Sequence, residues 1–203
     1  MTTLRIHEIF TQTIQGEGFM VGTPSDFVRL WGCPVKCRWC DTGYSDGGKS
    51  IPWEEVEIPE ILERAPGKNI VITGGEPFIC NELSVLVAAF RMRGCHVQIE
   101  TSGAYYQPVN AHWITLSPKT HATGKPVIKE FWETANEVKI VVNDRSDFEF
   151  YLDPLAAHGW QGKPVFVQPC WENGMMLEPC LGIVQEYPWV RISIQLHKLL
   201  GMP

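Results

Sequence analysis

Apolar residues recur along the chain in two distinct rhythms. Short runs rich in β-branched and aromatic residues at 4–10, 27–31, 69–73, 96–100, 112–116, 137–142, 165–168 and 190–193 predict strands. Apolar residues spaced three and four apart predict helices over 56–65, 81–92 and 146–158, with a short last one over 193–200. Strands alternating with helices imply parallel βα units. Connections such as 103–110 are too short for a full helix, so the expected fold class is α/β, an incomplete, partly open (β/α) barrel with reduced helix content. Nothing repeats along the chain, and its prolines and glycines fall as turn punctuation, so residues 1–203 are expected to form one domain.

In such folds ligands sit where loops leave the carboxyl ends of the strands. The polar residues at those points are Gly32 and Cys33, the stretch 73–77, the stretch 100–103, the stretch 117–119, Lys139 and Gln168. Composition narrows the partners. A chain of 203 residues that is 44% hydrophobic and 20% charged can bury a sizeable core, and a net charge of −6 argues against a broad basic face for nucleic acid. There is no apolar run of membrane-spanning length and no apolar block near the start, so the expectation is a cytoplasmic protein with no membrane partner.

Seven cysteines are an odd number, and Cys33, Cys37 and Cys40 crowd into one loop. Such clustering points to metal ligation in a reducing compartment rather than to a disulfide framework, while the scattered Cys80, Cys95, Cys170 and Cys180 read as small apolar core residues. Three thiolates spaced Cys-x3-Cys-x2-Cys suit a soft metal centre with one position open; a closed structural zinc site with a distant fourth ligand is the alternative.

The neighbouring residues bear on that choice. The loop reads Gly32-Cys33-Pro34-Val35-Lys36-Cys37-Arg38-Trp39-Cys40-Asp41-Thr42, and Thr73-Gly74-Gly75-Glu76-Pro77 ends the next predicted strand. This resembles the radical S-adenosylmethionine superfamily, in which three cysteines hold a [4Fe-4S] cluster whose open iron binds the cofactor's methionyl group. Three further blocks are the residues Phe10-Thr11-Gln12-Thr13-Ile14-Gln15-Gly16-Glu17-Gly18, the strand with Arg29, and Gln195-Leu196-His197-Lys198 near the end. Together, from about residue 6 to 203, they are similar to the 7-carboxy-7-deazaguanine synthase (QueE) family. The first cysteine interval is the superfamily's common one, whereas some synthases carry a longer one, which leaves the choice of electron donor open.

That resemblance implies radical hydrogen abstraction from C6 of 6-carboxy-5,6,7,8-tetrahydropterin, ring contraction and loss of ammonia to give 7-carboxy-7-deazaguanine, on the way to queuosine and other deazapurines. It implies a carbon–nitrogen lyase that is a homodimer, with Mg2+ and an electron donor such as flavodoxin or ferredoxin, and no catalytic side chain beyond cluster and cofactor. Cys33, Cys37 and Cys40 would hold the cluster and Thr42 the Mg2+. Asp41, Gly74, Gly75, Glu76, Thr101, Ser102, Ser117, Lys119 and Gln168 would bind the cofactor. Gln15, Gly16, Glu17, Arg29, Thr73, His197 and the terminal carboxylate of Pro203 would bind the pterin.

Each residue also has a plainer reading. Glu76 serves as a turn cap, Thr42 or Asp41 as another, Gln15 and Glu17 as parts of a glycine-framed turn, and His197 as one side of an amphipathic helix. Arg29 shares the face of Phe27 and Trp31 within an apolar strand and must meet an anion, either Glu17 or Glu100 or the substrate carboxylate. Two further functions stay open: another radical enzyme of the activase kind, and a zinc-stabilised binding module without turnover.

Overall fold

Residues 2–203 are described by a computed structural model. The strands are β1 (Thr3–Ile14), β2 (Pro24–Leu30), β3 (Glu54–Glu57), β4 (Asn69–Gly74) and β5 (His96–Thr101), followed by β6 (Trp113–Leu116), β7 (Glu137–Val142), β8 (Val165–Pro169) and β9 (Val190–Ile192). They form one open 9-stranded sheet in the order β3-β1-β2-β4-β5-β6-β7-β8-β9. From β2 to β9 every neighbouring pair is parallel, and only β1 runs against both its neighbours. The helices are α1 (Ile58–Arg64), α2 (Leu83–Met92), α3 (Thr120–Thr123), α4 (Lys129–Thr134), α5 (Arg145–Glu149), α6 (Leu152–Ala157), α7 (Glu178–Glu186) and α8 (Leu196–Leu199). The β5–β6 connection carries no helix, in keeping with its predicted brevity.

Side-chain alternation divides the sheet into two unlike faces. Val28 and Leu30, Ile70 and Ile72, Val97 and Ile99, Ile114 and Leu116, Val138 and Ile140, and Val165 and Val167 all join one aliphatic core. The helices cover that face. Along α2 the buried residues are Leu83, Leu86, Val87 and Phe90, the spacing of a single helical stripe. The intervening residues, including Arg29, Thr73, Gln98, Glu100, Thr115, Lys139 and Gln168, lie on the opposite face, and their polarity marks where the chain keeps space for a ligand.

Three departures from the predicted elements have local causes. The helix expected over 56–65 begins only at Ile58, because β3 pairs with β1 through Glu57 and Thr3, and Pro59 is suited to the first helical turn. The helix expected over 146–158 splits into α5 and α6, since Pro154 cannot donate to the carbonyl of Phe150 and its ring would strike it. Strand β1 runs on to Ile14 across a register shift between Phe10 and Thr13, where Gln12 takes φ 57°. Among the described residues no helix is long and apolar enough to cross a membrane.

Candidate active site

A cavity of about 530 Å³ opens on the polar face of the sheet. Its wall contains Gln15, Glu17, Arg29, Cys33, Cys37, Cys40, Asp41, Thr42, Thr73, Gly74, Gly75, Thr101, Ser102, Ser117, Lys119, Gln168, His197 and Pro203. Of the residues singled out from sequence, Gly16 and Glu76 are not part of the wall.

The cysteine loop leaves β2 through Trp31 and Gly32. Tyr44, fully buried, pins it from below by donating from its hydroxyl to the Leu30 carbonyl at 3.4 Å, and the Tyr44 N–H donates to Cys40 Sγ at 3.3 Å. Burial pushes the Cys33 thiol up to about 11 and raises that of Cys37 as well. A buried thiolate needs a cation beside it, so Cys33 and Cys37, with half-buried Cys40 from the same loop and all three facing one open cavity, have the donor chemistry of an iron–sulfur ligand set. Among the described residues no three His, Cys, Asp or Glu side chains gather around a single-ion position, which is what closed tetrahedral zinc requires.

The Gly74–Gly75 turn is explained by packing. Gly74 has φ 150°, and a Cβ there would lie 2.3 Å from the Leu30 carbonyl oxygen; one on Gly75 would lie 2.0 Å from the Gly32 oxygen and 2.6 Å from Cys33 Cβ. Backbone bonds from Gly75 N to Leu30 O at 3.1 Å and from Glu76 N to Gly32 O at 2.9 Å fasten this turn to the root of the cysteine loop. Glu76 then lies beneath the wall. It caps the turn by accepting from Phe78 N at 3.2 Å, and it also accepts from Thr101 Oγ1 at 2.7 Å, Ser102 N at 2.9 Å and the Ser102 hydroxyl. Burial raises its carboxyl. With both oxygens occupied, Glu76 holds Thr101 and Ser102 in the wall rather than presenting a charge to the cavity.

Above the sheet, the loop after β1 is tied down by an ionic network. Glu17 pairs with buried Lys139, which also faces Glu100 at 3.9 Å. Gln15 donates to Glu100 at 2.9 Å, and Gln195 donates both to Glu17 at 2.7 Å and to Asp41 at 3.2 Å. Lys198 completes the ring by donating to Asp41 at 2.9 Å. Burial favours the neutral form of Asp41, but the Lys198 charge together with the hydrogen bonds from Lys198 and Gln195 holds the carboxyl down at about 2. Gln168 accepts from Ser193 Oγ at 2.9 Å, and that hydroxyl in turn accepts from Gly18 N at 2.9 Å.

Arg29 meets a different anion from the two expected within the chain. Its Nε donates to Glu8 on the neighbouring strand at 2.6 Å, because Glu17 and Glu100 are already engaged by Lys139. Lys119 is half-buried, and desolvation lowers its ammonium pKa; it donates to Ser117 O at 3.0 Å, and among the described residues no carboxylate lies within 4.0 Å of it. His197 sits on Gly16, where a Cβ would lie 2.0 Å from its Nδ1, so Gly16 serves the site by leaving room for the imidazole. The Pro203 carbonyl accepts from Thr13 Oγ1 at 3.4 Å, bringing the terminal residue to the cavity rim.

The sequence model of the Radical SAM superfamily matches residues 31–116, the span from the cysteine loop to the end of β6. The 7-carboxy-7-deazaguanine synthase of Buchnera aphidicola subsp. Schizaphis graminum is 36% identical, over 96% of this chain and 97% of its own length. This chain belongs to the 7-carboxy-7-deazaguanine synthase family. The synthase of Escherichia coli K12 is 34% identical over 97% of this chain and 98% of its own, and the crystal structure of QueE from Escherichia coli superposes with a TM-score of 0.79 at 31% identity, covering 96% and 95% of the two chains.

Membership of the synthase family brings with it a [4Fe-4S] cluster and S-adenosylmethionine, and the radical S-adenosylmethionine fold with its open, mostly parallel sheet. Glu8, Glu172 and Trp171 also line the cavity although no sequence motif singles them out, and Lys139 is marked in sequence only by its place in a strand. Alternation along 4–10 puts Glu8 on the face of Phe10, a signal that was present. Nothing local announces Glu172 or Trp171, which reach the wall only through the turn after β8.

Proposed function

We propose that this chain converts 6-carboxy-5,6,7,8-tetrahydropterin to 7-carboxy-7-deazaguanine with loss of ammonia. The observation that carries this reading beyond family membership is the state of the charges in the cavity. Every acidic side chain in the wall has a cationic partner within the protein: Glu8 has Arg29, Glu17 and Glu100 have Lys139, Asp41 and Glu172 have Lys198. Lys119 has none, and Arg29 Nη2 has no hydrogen-bond partner among the described residues. Lys119, which has no counter-ion, and the free Nη2 of Arg29, whose Nε is held by Glu8, are thus the donors in the wall left open to anionic groups from outside. The methionyl carboxylate suits Lys119, and the carboxylate at C6 of the pterin suits the guanidinium fork.

When bound, the cluster and S-adenosylmethionine supply electron transfer and hydrogen-atom abstraction. Cys33, Cys37 and Cys40 would hold the cluster, and the Gly74–Gly75 backbone, Thr101, Ser102, Ser117 and Lys119 the cofactor. Gln15 and Glu17 offer both a donor and acceptors to the amino and amide edge of a pterin, with His197 closing over it. Phe10 and Phe27, stacked 4.8 Å apart, supply apolar surface beside Arg29. On the same reading Thr42 takes Mg2+, a flavodoxin or ferredoxin is the electron donor, the enzyme is a cytoplasmic homodimer, and nucleic acid plays no part.

The test is anaerobic turnover of the reconstituted protein with the pterin, S-adenosylmethionine, Mg2+ and a reductant, read by mass spectrometry. Product that disappears in Cys33→Ala, Cys37→Ala and Cys40→Ala is the expected result. Reductive cleavage of the cofactor without 7-carboxy-7-deazaguanine would remove the substrate assignment.

A further inference from the structure

Arg29 is held from three sides. Strand pairing puts Glu8 directly opposite it, and the Glu8 carboxylate takes Nε at 2.6 Å. The guanidinium lies over the Phe10 ring with 5.7 Å to its centroid, and Nη1 donates to Thr42 Oγ1 at 3.3 Å. A guanidinium offers a carboxylate two forks, the side formed by Nε and Nη2 and the end formed by Nη1 and Nη2. With Nε occupied by Glu8, only the end remains.

We propose that Glu8 is a positioning residue, which fixes the plane of the Arg29 guanidinium so that an incoming carboxylate is received end-on. This rests on reading Arg29 as the group that binds the substrate carboxylate. Glu8 is suited to the task because it lies on a paired strand whose backbone is fixed, whereas the acids on the neighbouring elements, Glu17 and Glu100, are held by Lys139 and cannot replace it. Asp41 is bound to Lys198 and Gln195. Without Glu8, the Arg29 side chain keeps only the Phe10 ring and one weak contact at Thr42, and regains rotamer freedom that the ligand would then have to remove on binding. Glu8 thus adds affinity for a carboxylate while making no claim on the rest of the ligand.

The experiment is calorimetric binding to the reconstituted enzyme without reductant, using two probes: 6-carboxypterin and unsubstituted pterin. Glu8→Ala is expected to raise the Kd of 6-carboxypterin about tenfold, the order of one charge-assisted hydrogen bond, and to leave the Kd of pterin within about twofold. Glu8→Gln, which keeps an acceptor for Nε and preserves the strand, is expected to fall between the parent and Glu8→Ala. Steady-state turnover should show the change in KM and not in kcat. An unchanged Kd for 6-carboxypterin in both Glu8 variants, with a raised one in Arg29→Ala, would overturn the proposal and leave Arg29 in its place. No change in Arg29→Ala would overturn the carboxylate reading itself. Equal weakening of both probes would reduce Glu8 to a structural contact and equally refute the proposal.

Discussion

Replacing Gly75 by alanine tests whether the double glycine is a packing requirement of the cysteine loop. The new Cβ would stand 2.0 Å from the carbonyl oxygen of Gly32, 2.5 Å from its carbon and 2.6 Å from Cys33 Cβ. Ordinary contact begins at about 3.4 Å, 1.4 Å beyond the nearest of these atoms, and neither the Gly32 backbone nor a Cβ can be moved by a rotamer change. The turn must therefore separate from the root of the loop. Separation breaks the bonds from Gly75 N to Leu30 O and from Glu76 N to Gly32 O, at about 1 kcal/mol each. Overpacking adds about 1–3 kcal/mol, for a total of about 3–5 kcal/mol. In a domain of this size, where 1 kcal/mol moves Tm by about 2–4 °C, the expected loss is about 10 °C. Thermal unfolding followed by circular dichroism measures it, alongside iron bound after anaerobic reconstitution, which should fall because Cys33 is displaced. Gly162→Ala is the control, since nothing lies within 4 Å of a Cβ there. A Gly75→Ala protein that melts within about 2 °C of the parent and binds the same iron would refute the reasoning.

Two further outcomes follow from other contacts. Gly16→Ala places a Cβ 2.0 Å from His197 Nδ1 and 2.7 Å from its Cγ, so the imidazole must swing away; we expect KM for the pterin to rise about tenfold with iron content unchanged, and an unchanged KM would remove His197 from the pterin site. Lys139→Met removes the buried cation from between half-buried Glu17 and Glu100, a cost of about 1–3 kcal/mol in urea unfolding at pH 7. Burial alone would raise the Glu17 carboxyl, but Lys139 holds it below its ordinary 4.5. Its stabilisation is therefore complete above that value and lost as pH falls below it, so the gap between parent and variant should narrow from pH 7 to pH 3. A gap that stays constant would show that the pair does not set the Glu17 charge.

The sequence made the parallel strands readable because each buries an aliphatic face at every second residue, and a run such as Asn69–Gly74 has one conformation in which Ile70 and Ile72 meet the same core. Short elements were harder. Helix α4 has six residues and only Phe131 and Trp132 to bury, so its spacing carries little signal; α7 buries Cys180 and Ile183 and otherwise resembles a polar loop. The site was legible wherever a motif gathers its ligands within one loop, as in Cys33–Cys40, and illegible where pairing depends on register. Glu8 and Arg29 are 21 residues apart, and only the antiparallel β1–β2 pairing makes them neighbours. The bonds of Glu76 were illegible for a related reason: its partners Thr101 and Ser102 lie at the end of the next parallel strand, and strand adjacency across a helix is a tertiary fact.

The polar face of the sheet imposes a condition that the aliphatic face does not. Burying Gln98, Thr115, Glu137 and Lys139 is tolerable only if each finds a partner, and the partners run across the strands: Gln98 donates to Thr115 at 2.9 Å, Thr115 donates to Glu137 at 2.6 Å, and Glu137 accepts from Phe19 N at 2.7 Å. The last of these bonds leaves the sheet and ends in the loop that carries Gln15 and Glu17. Lys139 reaches the same loop through Glu17, and Gln168 reaches it through Ser193. The groups that satisfy the buried face of the sheet are thus the groups that fix the roof of the cavity, so a substitution on this face should change the geometry of the site and the stability of the fold together. Lys119 and the free end of Arg29 lie outside that closed network, and for that reason they are the positions at which a ligand's charge can be read without disturbing the sheet.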